Sequence, residues 1–151
     1  ETGHVVFGTL HTNSAMGTVN RIIDAFPGNL QDQIRTQLAS SIIGVVAQTL
    51  LPKIGGGRLA AYEILIATSA VANLIRENKV FRINSAIQTG AKHGMILMDD
   101  ALFQLWKSEK VTIEDVLSRA HVPDDLAKRI VNAKRGIEEE APQEVPEAFK
   151  Q

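Results

Sequence analysis

The chain has 151 residues and no cysteine. The absence of cysteine excludes disulfide bonds, thiolate zinc sites, iron–sulfur clusters and cysteine nucleophiles, and it is compatible with a reducing, cytosolic compartment. Aromatic residues make up only 5% of the chain, so stacking platforms for single-stranded nucleic acid are not expected. No apolar run reaches the roughly 18 residues that a membrane-spanning helix requires. What remains is a globular domain whose 44% hydrophobic residues suffice for a buried core.

The net charge of −1 is unevenly distributed along the chain. Five acidic residues and one lysine lie in 138–151, which gives that segment a charge of −4 and leaves 15 basic and 12 acidic residues, or +3, for the rest. An excess of this size is too small to indicate binding to nucleic acid. The acidic, proline-containing segment 137–151 is predicted to be disordered.

The hydrophobic pattern predicts an α/β fold. An apolar, β-rich run at residues 4–10 predicts a buried strand. Two further apolar runs, at residues 45–51 and 58–67, flank three glycines and predict an antiparallel hairpin. Helical spacing and capping residues predict helices that begin near positions 14, 29, 70, 82, 96, 113 and 124, the first of them capped by Asn13 or Ser14.

Polar residues follow the first apolar run where the predicted strand ends and a helix begins. They are Thr9, His11 and Thr12. In α/β sheets, ligands lie outside the carboxyl ends of strands, and a helix N-terminus favours phosphate. The imidazole of His11 can hydrogen-bond a terminal phosphate or its attacking water, or neutralise developing charge when protonated. The alternative is that His11 only ends the strand and bonds backbone, and spacing alone leaves both interpretations open. His4 begins the same strand, away from that edge, and is predicted to be buried and structural.

Three acidic residues require partners. Glu63 lies within a predicted apolar strand, where a buried carboxylate must be hydrogen-bonded, and a structural salt bridge is favoured over catalysis. Asp99 and Asp100 begin a predicted helix, whose dipole stabilises negative charge. Capping of that helix is therefore favoured over Mg²⁺ binding.

Several segments, taken in order, resemble one protein family. The segment GHVVFGTLHTNSA at residues 3–15 resembles the His box of the secretion-superfamily hexameric ATPases, which include type IV pilus motors and type II and type IV secretion ATPases. The segments that continue the resemblance are NRIIDAFP at 20–27, QTLLPK at 48–53 with the glycine turn, Arg58 and Glu63 after it, AVANLIRE at 70–77 and SAIQTG at 85–90. The resemblance extends over about residues 1 to 120, and the ordered combination is specific although each segment alone is weak.

The segment at 70–77 is similar to the motif of the pilus-retraction, or twitching-motility, ATPases. Ala72 stands where that motif usually has arginine, so any contact of the missing guanidinium is in doubt and an accessory paralogue stays open. Pilus-extension and type II secretion ATPases usually carry a four-cysteine zinc element, and the absence of cysteine therefore favours the retraction branch. The residues that match the motif are Asn73, Leu74, Ile75, Arg76 and Glu77.

The resemblance implies a partial RecA-like P-loop ATPase core followed by an α-helical C-terminal region. Its C-terminal core part, with the His box and the hairpin, would cover residues 1–68, the helical region 69–136 and the acidic tail 137–151. The sequence contains no G-x-x-x-x-G-K-[ST] loop, whose backbone and lysine hold nucleotide phosphates. The chain alone is therefore expected to be inactive and to carry no bound cofactor. Because the apolar run follows Glu1 so closely, we expect the chain to be a piece of a longer protein.

The resemblance also implies what the full-length protein does. It would form a homo-oligomeric, hexameric ring that hydrolyses ATP with Mg²⁺ and couples the energy to pilus retraction. His11 would contact the γ-phosphate with Thr9 and Thr12 near it, and His4 would belong to the same His box. The helix that carries residues 73–77 would serve retraction rather than hydrolysis. An inner-membrane pilus platform protein would be the partner, reached from the cytoplasmic face without insertion into the membrane.

Two other functions remain open at this point. The family also contains type II and type IV secretion ATPases, which differ from pilus motors in what they move. A non-enzymatic module that docks a partner protein is the interpretation that the missing phosphate loop favours.

Overall fold

The predicted antiparallel hairpin is present, and its residues contribute to both clusters of the hydrophobic core. The computed structural model of the chain describes residues 3–137, and its strand β1 (Gly44–Pro52) pairs with strand β2 (Arg58–Ile66) in an unbroken register. The three glycines of the turn, residues 55–57, have φ angles between 83° and 108°, which glycine adopts without steric cost. The tail predicted to be disordered lies outside the described residues from 138 onward.

Seven α-helices accompany the hairpin in the described part of the chain, and each corresponds to a predicted one. The helix predicted from position 96 begins two residues later, because Ile96 forms a β-bridge with Ile64 of β2. No helix among residues 3–137 is both long enough and apolar enough to cross a membrane. The helices are α1 (Ala15–Asp24), α2 (Gln31–Ser41), α3 (Ser69–Arg76), α4 (Ile83–Gln88), α5 (Met98–Lys107), α6 (Ile113–Arg119) and α7 (Pro123–Lys134).

Hydroxyl side chains begin three of these helices. The Oγ of Ser14 accepts a hydrogen bond from the backbone N–H of Gly17 at 3.0 Å. Thr68 and Thr112 likewise accept from the amide three residues ahead, at 3.4 and 3.2 Å. Each hydroxyl satisfies one of the backbone donors that a first helical turn leaves unpaired. Of the two predicted caps of α1, the structure selects Ser14.

The hydrophobic core consists of two clusters, and the hairpin contributes to both. One cluster joins the hairpin to α5, α6 and α7. The other joins the hairpin to α1, α2, α3 and α4. The first contains Leu51, Leu59, Ile64, Ile96, Met98, Leu102, Val116, Leu126 and Ile130, and the second contains Ala15, Val19, Ile23, Val45, Leu65, Val71, Ile75, Val80, Ile83, Ile87 and Met95.

The buried strand predicted at residues 4–10 is wrong. This segment has no regular secondary structure, and the side chains of Val6 and Phe7 are 84% and 96% exposed. His4, predicted to be buried with that strand, is exposed as well. A strand needs a neighbour for its backbone N–H and C=O groups, and the strands of the described residues are the two of the hairpin, neither of which pairs with this segment.

Two acidic residues at the start of α5 hold α7 rather than capping their own helix. The carboxylate of Asp99 accepts hydrogen bonds from the backbone N–H groups of His121 and Val122, at 2.7 and 2.9 Å. Asp100 pairs with Arg129 of α7 at 2.8 Å, and that guanidinium also lies 4.8 Å from the ring centroid of Phe103. Both residues lie in the first turn of α5, where its dipole stabilises their charge as predicted. Their side-chain bonds go to Arg129 and to the two residues before α7, so the predicted capping is wrong.

The ion pair between the buried Asp100 and the partly buried Arg129 should contribute measurably to stability. The substitution Asp100→Asn removes the negative charge of this side chain. It is expected to lower the free energy of unfolding by about 1–3 kcal/mol. Urea denaturation of the 151-residue chain measures this value. Lys128→Gln is the matched control, because the pair of Lys128 with Asp125 is exposed on both sides and should change stability by less than about 0.5 kcal/mol. Equal losses in the two variants would contradict the assignment.

Candidate functional site

His11 and Thr12 lie at the edge of an open cleft formed with one face of α1. The cleft has a volume of about 600 Å³. Its residues on α1 recur at intervals of three or four, as one face of a helix requires. The lining residues are His11, Thr12, Asn13, Gly17, Asn20, Arg21, Asp24 and Ala25.

A chain of hydroxyl contacts fixes Thr12 against the first turn of α1. The hydroxyl of Thr18 donates to the backbone oxygen of Ser14 at 2.8 Å, and the hydroxyl oxygens of Thr12 and Thr18 lie 2.6 Å apart. A hydroxyl has a single proton, and Thr18 uses its proton on Ser14. Thr12 is therefore the donor to Thr18, and its position follows that of α1.

The structure brings together only part of the predicted site. His11 and Thr12 share the cleft, whereas Thr9 and His4 do not line it and are exposed. Sequence reasoning did not single out Arg21, although the segment 20–27 that carries it was among those that resemble the family. The i, i+4 spacing of Gly17 and Arg21 puts both residues on one face of α1, but which face lines the cleft required the structure.

The donors of the cleft suit an anion. They comprise the imidazole of His11, the amide side chains of Asn13 and Asn20 and the guanidinium of Arg21, and guanidinium and imidazolium groups form the stronger, charge-assisted hydrogen bonds to phosphate. Asp24 is the only carboxylate of the described residues that lines the cleft. Among residues 3–137, no group of three or more histidine or acidic side chains is placed to hold a metal ion.

The residues 73–77 divide between the interior and the surface of α3. Ile75 is fully buried and attaches the helix to the second core cluster, whereas Leu74 is half-buried. The polar positions are exposed, and they are held locally: Arg76 donates to the side-chain oxygen of Asn73 at 2.7 Å, and Lys79 donates to Glu77 at 2.7 Å. The motif thus presents an ordered polar surface.

Lys79 should control the ionisation of Glu77. Its hydrogen bond and then its charge lower the pKa of the Glu77 carboxyl below the ordinary value of 4.5, and Arg76 adds a smaller effect. Because the folded-state pKa is lowered, the pair's stabilisation is present above pH 4.5 and is lost as pH falls through that folded-state pKa. An NMR titration of the 151-residue chain should show Lys79→Gln raising the pKa of Glu77 toward 4.5, and Arg76→Gln raising it less. An unchanged pKa in Lys79→Gln would refute this cause.

Behind the cleft, a buried carboxylate meets the first residue of α1. The side chain of Glu63 on β2 is 1% exposed, and one of its oxygens accepts from the backbone N–H of Ala15 at 2.7 Å. Its other oxygen accepts from the backbone N–H of Met98 at 3.1 Å and lies 3.8 Å from Nδ1 of His121. A structural role was predicted for Glu63, but its main partners are two backbone amides and not a lysine or arginine.

Comparisons with known proteins show which family the chain resembles. The family model described as Type II/IV secretion system protein matches residues 1–56. The chain is 47% identical over 126 residues to the type IV pilus retraction ATPase PilT of Pseudomonas aeruginosa, which covers 83% of this chain and 37% of that protein. The chain is therefore similar to the C-terminal part of pilus-retraction ATPases, and its first 56 residues match the type II/IV secretion family model.

Two further comparisons agree with this assignment. A twitching motility protein of Neisseria gonorrhoeae is 46% identical over 128 residues, which are 84% of this chain and 34% of that protein. The crystal structure of the pilus retraction motor PilT with bound ADP superimposes with a TM-score of 0.77 at 46% identity, over 85% of this chain and 36% of that one. The predicted resemblance and the predicted partial ATPase fold are confirmed. The chain spans little more than a third of the length of these relatives.

Proposed function

We propose that the chain is the C-terminal part of the motor domain of a hexameric ATPase that drives type IV pilus retraction and twitching motility. The observation that carries this proposal is the cleft in which His11 and Thr12 meet Arg21, in a chain 47% identical to a pilus retraction ATPase over 126 residues. In the same proposal, residues 1–68 belong to the ATPase core and 69–136 to a helical C-terminal region.

The cleft forms one wall of a nucleotide site in this proposal. His11 donates a hydrogen bond to the γ-phosphate of ATP, and Arg21 compensates the negative charge that develops there during hydrolysis. Thr12, held by Thr18, keeps the segment before α1 at a fixed distance from the phosphate. Thr9 lies near the nucleotide without lining the cleft, and His4 belongs to the same segment without contacting phosphate.

The rest of the phosphate contacts come from outside this sequence, because it has no G-x-x-x-x-G-K-[ST] loop. Mg²⁺ prefers carboxylates and water as ligands, and Asp24, the single carboxylate of the cleft within residues 3–137, does not fit that need. In the proposed motor Mg²⁺ is therefore held with the nucleotide by other parts of the protein. The ring acts at the cytoplasmic face of the inner membrane, on a pilus platform protein.

In this proposal the polar face of α3 serves retraction, because residues 73–77 match the motif of the pilus-retraction ATPases. Asn73, Arg76 and Glu77 are exposed and make local hydrogen bonds, so their side chains are accessible to a partner. Ala72 is half-buried and packs on the second core cluster. Its side chain adds no donor to that surface, so the retraction role proposed here depends on the other polar residues of the motif.

Replacement of His11 in the full-length protein tests the proposed site. His11→Ala should lower kcat for ATP hydrolysis by about a hundredfold to a thousandfold, the range for losing one donor to a transition-state charge. The affinity for ADP, which has no γ-phosphate, should stay within about twofold. Steady-state hydrolysis and titration with a fluorescent ADP analogue measure the two quantities.

His93→Ala is the matched control, because His93 is an exposed histidine on the single turn Ala91–His93, and its turnover should equal that of the unmodified protein. Twitching motility should fall together with hydrolysis in cells that carry His11→Ala. Normal turnover in this variant would exclude His11 from the mechanism, and a loss of protein export in place of twitching would favour a secretion ATPase.

A further inference from the structure

Glu63 is the most deeply buried acidic side chain of the described residues. A buried carboxylate is stable only when its oxygens are hydrogen-bonded or paired with a positive charge. Within residues 3–137, the only basic side chain closer than 4.0 Å is that of His121, at 3.8 Å. The negative charge of Glu63 therefore depends mainly on backbone donors.

Those donors are the first residues of two different helices. The N–H of Ala15, which begins α1, points at one oxygen of Glu63, and the N–H of Met98, which begins α5, points at the other. Both helix dipoles have their positive ends at the carboxylate. Because each oxygen is engaged by a different helix, the carboxylate fixes the start of α1 relative to the start of α5.

The position of Ala15 determines that of the cleft residues. Residues 4–10 are exposed and form no regular secondary structure, and Ala15 is the first fully buried residue after His11. From there, Ser14 is tied to Thr18, and Thr18 to Thr12. A shift of α1 at Ala15 would therefore move the segment that carries His11.

We infer that Glu63 is a positioning residue for ATP hydrolysis: it holds the start of α1, and with it His11 and Thr12, in register with α5 of the helical region. The inference rests on the proposed function, since it assigns a role to Glu63 through His11. Through Glu63, α5 of the helical region is connected to α1 and so to His11 and Thr12, which face the nucleotide in the proposed function.

A double-mutant cycle in the full-length protein tests this inference. Glu63→Gln keeps the size of the side chain but turns one of the two acceptors into an N–H₂ donor that faces a backbone N–H. Turnover of Glu63→Gln should fall by about tenfold to a hundredfold, as expected when a reacting group is misplaced by about an ångström. The affinity for the fluorescent ADP analogue should stay within about twofold.

The double variant that carries both Glu63→Gln and His11→Ala distinguishes a role of Glu63 through His11 from an independent effect of Glu63 on hydrolysis. If Glu63 acts through His11, the double variant should hydrolyse ATP as slowly as His11→Ala alone, within about twofold. If the losses of turnover from the two single variants multiply in the double variant, the inference is overturned. Normal hydrolysis by His11→Ala would defeat the proposed function, whereas slow hydrolysis by His11→Ala together with normal hydrolysis by Glu63→Gln would defeat only the inference.

Asp100→Asn controls for a general loss of stability, because Asp100 is a second buried carboxylate that contacts α7. Its turnover should stay within about twofold of the unmodified protein, and a fall as large as that of Glu63→Gln would overturn the inference. Where Glu63→Gln fails to fold, Glu63→Asp takes its place, since it keeps the charge but is one methylene too short to reach both amides. Normal turnover by Glu63→Asp would likewise overturn the inference.

Discussion

The charge of Glu63 in the interior is the constraint on which the arrangement of the helices depends. Its carboxylate lies on β2, and removing it from water is costly unless its oxygens find donors. Two helix N-termini supply them, at 2.7 and 3.1 Å. Leu97 caps α5 without a side-chain hydrogen bond, so Glu63 provides the acceptor that the cap residue itself cannot offer. The hairpin, α1 and α5 are thereby fixed to one another at a single point.

The cleft beside α1 has donors that suit an anion, but it is more open than a complete binding site. His11 and Arg21 line a volume of about 600 Å³, while Val6 and Phe7, a few residues earlier, are largely exposed. Exposed apolar side chains beside polar ones are typical of a surface that another protein segment covers. In the proposed motor, the same segment thus faces both the nucleotide and the remainder of the ATPase core.

The hairpin and the helix starts could be predicted from the sequence, because residues close together in the chain determine them. The hairpin was predictable from two β-rich runs around three glycines, and the starts of α1, α3 and α6 from Ser14, Thr68 and Thr112. The segment 4–10 was predicted wrongly because β-propensity does not tell whether a neighbouring strand is present. The partners of Glu63 were not predictable either: Ala15 and Met98 lie 48 and 35 positions away, and backbone donors carry no sequence signature. The placement of His11 and Thr12 in one cleft followed from their proximity in sequence, whereas Arg21 required the helix to be built first.

A structure of the full-length protein with a non-hydrolysable ATP analogue is the decisive test of the proposed contact between His11 and the nucleotide. An imidazole nitrogen of His11 is expected about 3 Å from a γ-phosphate oxygen, with the Glu63 carboxylate still bonded to the amide of Ala15. An imidazole turned away from the nucleotide, or a Glu63 carboxylate detached from α1 while His11 contacts the phosphate, would contradict this expectation.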